Sequence, residues 1–260
     1  MRIEMVENLT EETKKEALRL GARIVGVGTV DRWINAPKGH KPTDFLPNAR
    51  SVVTFTLPQF KAMSHWRDFM KGSEMFPEEP VEGLPVRIRA AYEMYGRMQY
   101  DAINLNLMSI ANYLGCFLTD LGYNVTTPPI TGGAGFNMTM VAEMYALGFH
   151  QWSQRHAAVA CGLGELGLNN GFICPEYGLR TRIGSVITDA PLRADPLDRI
   201  GNTCTQCDAC TKACPEPKPF GEKFSYELIP GYKLTVRRFN KKNCAGGYCG
   251  YCMSVCPVGR

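Results

Sequence analysis

The sequence predicts an α/β (α+β) layered domain over residues 1–199, followed by a small cysteine-rich module over residues 200–260. Three observations carry this. Helical and strand-like segments alternate through the first part. Cysteine usage changes abruptly near the end, where eight of the 11 cysteines crowd into residues 204–256. Hydrophobic residues at 45% and charged residues at 21% suit an ordinary packed core.

The elements follow in order. Asn8-Leu9-Thr10-Glu11 has a capping-box spacing, Glu11 and Lys15 form an i,i+4 pair, and Gly21 stops the opening helix. Arg23–Val30 and Ser51–Thr56 (SVVTFT) read as strands. Residues 57–90 hold several Pro and Gly with little periodicity, and so predict a long loop or lid. The clearest helix follows: Ile103, Leu107, Ile110, Leu114, Phe117 and Leu121 step by alternating fours and threes, with Gly122 just past the end. Tyr123–Thr127 reads as a strand. PPITGGAG (Pro128–Gly135) lacks both the Lys-Ser/Thr of a P-loop and the Rossmann spacing, so it reads as a turn rather than a phosphate cradle. Short helices are expected over residues 139–149 and 153–161, the second capped by Ser153, then strands at Phe172–Cys174 and Arg182–Thr188.

The N-terminus has no apolar signal core or twin arginine, and no run approaches the eighteen or so apolar residues of a membrane span. The expectation is a cytoplasmic protein, in which clustered thiols bind metal rather than pair as disulfides. The formal net charge is +4. Residues 201–260 hold nine Lys/Arg against four Asp/Glu, and two four-iron clusters with all-cysteine ligation would carry about −2 each. On that reading the cations neutralise clusters, and no nucleic-acid partner is expected.

CTQCDACTKACP (Cys204–Pro215) is C-x2-C-x2-C-x3-C-P, the run of bacterial two-cluster ferredoxins, in which the fourth cysteine serves the other cluster. Zinc also uses C-x2-C pairs, but a closed zinc site does not explain four cysteines followed by proline, twice. In the second run, CAGGYCGYCMSVCP, Cys244 is separated from Cys249 by four residues. The two glycines between them give the wider gap the freedom to return. The expected ligand sets are Cys204, Cys207, Cys210 and Cys256 for one [4Fe-4S] cluster, and Cys214, Cys244, Cys249 and Cys252 for the other.

Upstream, WSQRHAAVACGLGELGLNNGFICPEYGLRTRIGSVITDAPL (Trp152–Leu192) resembles the corrinoid-binding core shared by reductive dehalogenases and epoxyqueuosine reductases. The matching pieces are CGLGELGLNN (Cys161–Asn170), the turn Pro175-Glu176-Tyr177-Gly178 and the strand IGSVITD (Ile183–Asp189), in the family's order before the cysteine runs. DFLPNARSVVTFT (Asp44–Thr56) and the long helix ending in LGY fit as well. The resemblance implies a nitroreductase-like corrinoid-binding domain followed by a ferredoxin-like module with two [4Fe-4S] clusters. Between them it implies a base-off cobalamin that receives single electrons and reduces a small-molecule substrate, with a ferredoxin- or flavodoxin-type low-potential donor. It places Trp152, Ser153, Arg155, His156, Gly162, Leu163, Gly164, Glu165, Gly167 and Asn169 against the corrinoid, and it makes His156 and Tyr177 candidate catalytic residues, with Tyr145 as a further tyrosine. Gly148–His156 has no Asp or Glu where epoxyqueuosine reductases carry an acid, which argues against queuosine synthesis. The alternative is an iron–sulfur electron-transfer or activating protein, or a cobalamin-handling protein, without substrate turnover.

Overall fold

Runs of β-branched and aromatic residues build the central sheet. The computed structural model describes residues 2–61, 84–130, 152–214, 220–240 and 250–259. Its strands are β1 (Ile24–Thr29), β2 (Ser51–Pro58), β3 (Val125–Thr126), the short β4 (Glu165–Leu166) and β5 (Phe172–Ile173), β6 (Thr181–Thr188), β7 (Phe220–Ile229) and β8 (Tyr232–Phe239). The helices are α1 (Arg2–Arg19), α2 (Pro42–Phe45), α3 (Leu84–Asp120), α4 (Gln154–Ala160), α5 (Ala209–Lys212) and α6 (Tyr251–Ser254), with a 3-10 turn at Val30–Trp33.

The main sheet has the order β1-β2-β6-β3, and each of its pairings is antiparallel. Layering is therefore mixed α and β, but it lies on the α+β side of the expectation. Strand β2 is buried from Ser51 to Thr56 because both faces are covered. Val53 and Phe55 point into a core with Leu107, Ile110, Leu114 and Leu118 of α3. Val52 joins the opposite core with Ala157 to Cys161, around α4. Full burial of such side chains stabilises the fold by about 1.5–3 kcal/mol each. On the α4 side, Thr54 Oγ1 lies 3.1 Å from Ser185 Oγ and 3.2 Å from Cys161 Sγ, so the polar atoms of this face satisfy one another.

Three local expectations change. Helix α1 starts at Arg2 and runs through Asn8–Thr10, so the capping box is not used. Thr10 and Thr13 hydroxyls instead donate to the carbonyls of Val6 and Leu9, both at 2.7 Å, which keeps them inside the helix. In α3 the buried stripe passes through Leu118, while Leu121 is 46% exposed because the chain leaves the helix at Gly122, with φ +88°. Strand β2 extends to Pro58 and α3 begins at Leu84, which shortens the expected lid from both ends; residues 62–83 lie outside the described residues. The helix expected over residues 139–149 also lies outside them, as does most of the PPITGGAG loop.

The hairpin β7–β8 between the two cysteine runs is an element the sequence reading missed. Phe224, Tyr226, Leu234 and Val236 alternate with polar residues, and Gly231 adopts φ +80° at the turn after Pro230.

Candidate cluster and cofactor site

Cysteines from both runs meet in one place. Cys204, Cys207, Cys210 and Cys256 line a single cavity together with Gly167, Leu168, Asn169, Ile173 and Leu179. Helix α5 carries Cys210, α6 carries Cys252, and the two short helices pack on each other. Tight turns at Gln206 (φ +56°) and Asp208 (φ +63°) fold the first run back on itself. Burial, then the neighbouring thiols Cys252, Cys204, Cys256 and Cys207, push the Cys210 thiol up to about 12.

Among the described residues, no three His, Cys, Asp or Glu side chains gather tightly enough to hold a single metal ion. In the second expected set, Cys214 and Cys252 are half-buried, while Cys244 and Cys249 lie outside the described residues.

The end of the glycine-rich loop, from Gly167 to Asn169, lines this cavity. A methyl on Gly162, at φ +76°, would run into the Pro196 carbonyl, and one on Gly164 into the Ile173 carbonyl. The close approaches of these two glycines are thus to the chain's own backbone. Leu163 belongs to the core at 3% exposure. Gly167 and Asn169 line the cysteine cavity. Glu165, 5% exposed, turns to the first cysteine run. Its Oε2 accepts the Gly201 N–H at 2.7 Å, and its Oε1 accepts the Thr203 N–H at 2.8 Å and the N–H of Cys204. The carboxylate thereby caps the chain where it enters the cysteine run.

The remaining corrinoid candidates cluster at the start of α4. Trp152 stacks on Trp33 at 5.8 Å and meets Phe45 edge-on, and its buried Nε1 finds no acceptor among the described residues. Ser153 is the N-cap of α4, but its hydroxyl lies 2.6 Å from His156 Nδ1 instead of capping the backbone. His156 Nε2 faces the Tyr226 hydroxyl of β7 at 3.1 Å. Burial first, then the Arg155 and His40 charges, lower His156 to about 4, so it is neutral near pH 7 with one ring nitrogen donating and the other accepting. Arg155 donates to the Asn170 carbonyl and borders an open cavity of about 680 Å³ that Asn170, Phe224, Arg238 and Phe239 also line.

Tyr177, the other catalytic candidate, sits in a turn pressed against the end of the chain. Gly178 packs on the Val258 carbonyl, and Arg180 donates to Gly259 O and Gln59 O, both at 2.8 Å. Among the described residues, His156 bonds Ser153 and Tyr226 and not Tyr177. Tyr145 lies outside the described residues. Tyr226 was not anticipated; the alternation Phe224-Ser225-Tyr226 within a hairpin pattern is the signal that could have found it.

No protein-family model matches the chain. Tetrachloroethene reductive dehalogenase of Sulfurospirillum multivorans is 34% identical over 114 residues, 38% of this chain and 22% of that protein. Epoxyqueuosine reductase of Synechocystis sp. is 26% identical over 256 residues, 95% of this chain and 75% of that protein. An epoxyqueuosine reductase solved with a tRNA-Tyr epoxyqueuosine-modified stem loop superposes with a TM-score of 0.56 at 16% identity, covering 97% of this chain and 65% of that one. A reductive dehalogenase whose structure suggested a mechanism for B12-dependent dehalogenation superposes with a TM-score of 0.60 at 19% identity, covering 98% of this chain and 32% of that one. The chain thus spans about a fifth of the dehalogenase relative and under two thirds of the stem-loop-bound reductase.

The stem-loop complex overturns the exclusion of nucleic acid drawn from net charge. A whole-chain charge of +4 does not report on a local surface. Recognition of one splayed base in an RNA loop rests on stacking and a few hydrogen bonds, and needs no extended basic stripe. Among the described residues, no helix is long and apolar enough to cross a membrane. The chain is a homologue of epoxyqueuosine reductases and of tetrachloroethene reductive dehalogenase, both oxidoreductases, and it carries the fold their solved structures share.

Proposed function

We infer that this chain is a cobalamin-dependent iron–sulfur reductase. The observation that carries the reading is the meeting of Cys204, Cys207, Cys210 and Cys256, drawn from both runs, around one cavity that the end of the glycine-rich loop also lines. Residues 200–260 act as a ferredoxin-like domain with two [4Fe-4S] clusters, one on that quartet and one on Cys214, Cys244, Cys249 and Cys252. Residues 1–199 act as a nitroreductase-like corrinoid-binding domain.

The fit to a corrinoid is uneven along the loop. Gly162, Leu163, Gly164 and Glu165 are taken up by the chain itself. Arg155, which lines the open cavity, and Ser153 and His156 next to it at the head of α4 are the groups that would hold the ligand. When bound, the corrinoid would supply a reducible cobalt centre for chemistry at an electrophilic carbon. Neutral His156 holds a proton between two hydroxyls, so Ser153 and Tyr226 fix its tautomer and orient the ring. Arg155 orients an anionic or amide-bearing group at the cavity mouth. The substrate is a small organic molecule with a carbon–halogen or epoxide-like centre. A second reading, in which that centre is displayed on RNA, is favoured by the stem-loop complex of the structural neighbour.

Anaerobic reconstitution with iron, sulfide and cobalamin tests this. The wild-type chain should hold about eight irons and show a base-off corrinoid spectrum, and Cys244→Ala should fall towards about four irons. Unchanged iron in that variant refutes the ligand sets, and no retained corrinoid refutes the reductase reading. Turnover of a halogenated or epoxide substrate, compared with binding of a tRNA stem loop, separates the two substrate classes.

A further inference from the structure

The hairpin between the cysteine runs is fastened to the first run by a bidentate ion pair. Arg237 Nε donates to Asp208 Oδ1 at 2.8 Å and Arg237 Nη2 donates to Asp208 Oδ2 at 3.0 Å. Asp208 lies between Cys207 and Cys210 in the left-handed region, at φ +63°. Its Oδ1 also accepts the Thr211 hydroxyl at 3.0 Å, and Lys223 Nζ stands 3.5 Å from its Oδ2.

Arg237 is held through its backbone as well as its guanidinium. Arg237 Nη1 donates to Gly221 O at 2.9 Å, the Arg237 N–H donates to Leu168 O at 2.9 Å, and Asn170 Nδ2 donates to the Arg237 carbonyl at 2.6 Å. Leu168 itself lines the cysteine cavity. The blander account is a surface ion pair, and those contribute about 0–1 kcal/mol. It does not explain why the partner carboxylate stands at a left-handed turn of the cysteine run, as Gln206 does, or why two cations converge on it.

We propose that Arg237 is a positioning residue for the first cluster: through Asp208 it holds the Cys207–Cys210 loop in its ligating shape, and the pair sets that cluster's reduction potential. The inference rests on the cluster reading above. Reduction adds an electron to the cluster, so a fixed positive charge nearby favours the reduced form and a fixed negative charge opposes it. Arg237→Gln leaves Asp208 under-compensated and should lower the potential. Asp208→Asn removes the negative charge, while asparagine still tolerates the left-handed turn, and should raise it. A purely structural pair would instead loosen the loop in the same way whichever partner is lost.

The test is an EPR-monitored redox titration of the full-length, cluster-loaded protein kept anaerobic, with iron content measured alongside. At fixed ambient potential, the reduced fraction of one cluster should fall several-fold in Arg237→Gln and rise several-fold in Asp208→Asn. A tenfold change in that ratio corresponds to about 59 mV for one electron. The second cluster should not move. Lys223→Gln leaves the bidentate pair intact and should give a smaller fall, so the prediction is read even if Arg237→Gln loses iron. Potentials that shift in the same direction in Asp208→Asn and Lys223→Gln, or stay unmoved with iron intact, overturn the proposal alone. A wild-type chain that binds no cluster overturns the functional reading and this inference with it.

Discussion

Glu165→Gln isolates the link between the glycine-rich loop and the cysteine run. The substitution preserves shape and removes one acceptor. In the wild type, Oε1 serves the N–H groups of Thr203 and Cys204 and Oε2 serves that of Gly201. The amide can keep its oxygen on the Thr203 and Cys204 side, but its NH2 then faces the Gly201 N–H, donor against donor. Losing one hydrogen bond at a site only 5% exposed costs about 1–3 kcal/mol, and each of the other two falls from the charge-assisted to the neutral class at about 1 kcal/mol. The sum is about 3–5 kcal/mol.

Thermal unfolding of the anaerobic holoprotein is the assay, followed by both circular dichroism and the visible absorption of the cluster. At about 2–4 °C per kcal/mol for a domain approaching this size, the midpoint should drop by about 6–20 °C. The visible signal should bleach before the helices melt, because the chain is released at Gly201, three residues before Cys204, and the Cys204 N–H is held only by a neutral acceptor. A midpoint within about 2 °C of wild type refutes the argument that this carboxylate holds the run. Coincident loss of both signals refutes the claim that it holds Cys204 in particular.

Gly162→Ala combines a left-handed backbone with a methyl driven into the Pro196 carbonyl, and should cost about 3 kcal/mol or more, read as lost soluble yield or a lowered urea midpoint. His156 supplies a pH signature. Its folded-state pKa of about 4 lies below the ordinary 6.5, so the unfolded chain binds the extra proton first. Its contribution is present above about pH 6.5 and is lost as pH falls towards 4, by about 3 kcal/mol in all. Urea midpoints should fall through that window in wild type and fall less in His156→Gln; equal slopes would contradict a half-buried imidazole held neutral.

Strand β2 and the far half of α3 were legible because their apolar residues repeat at the period of the element and their partners lie on the same sheet face or helix stripe. The start of α1 was not, since Thr10 and Thr13 can either cap a helix or donate back into one, and only the packing decides. Hairpin β7–β8 carried an ordinary alternation around Pro230-Gly231 that the neighbouring cysteines overshadowed. The cysteine spacing singled out four residues that line one cavity, without showing what else shapes it. Glu165 meets its partners 36 to 39 residues away, and Arg237 meets Asp208 across 29. Such pairings carry no local periodicity and exist only once the sheet and loop have placed them.

The hairpin also changes what the wide gap between the cysteine runs means. A two-stranded ribbon is marginal by itself, so its position is fixed by what it buries: Ile229, Leu234 and Val236 are 3%, 2% and 0% exposed within the core that holds α4. Side chains on successive residues of a strand point to opposite faces. Tyr226, on the face with Phe224 and Val236, reaches His156, while Lys223 and its register partner Arg237, on the other face, reach Asp208. One short ladder thus ties the histidine at the head of α4 to the loop between Cys207 and Cys210. The hairpin therefore touches both parts of the candidate site, and a disturbance of its buried face should reach both the His156 ring and the loop that carries Cys207 and Cys210.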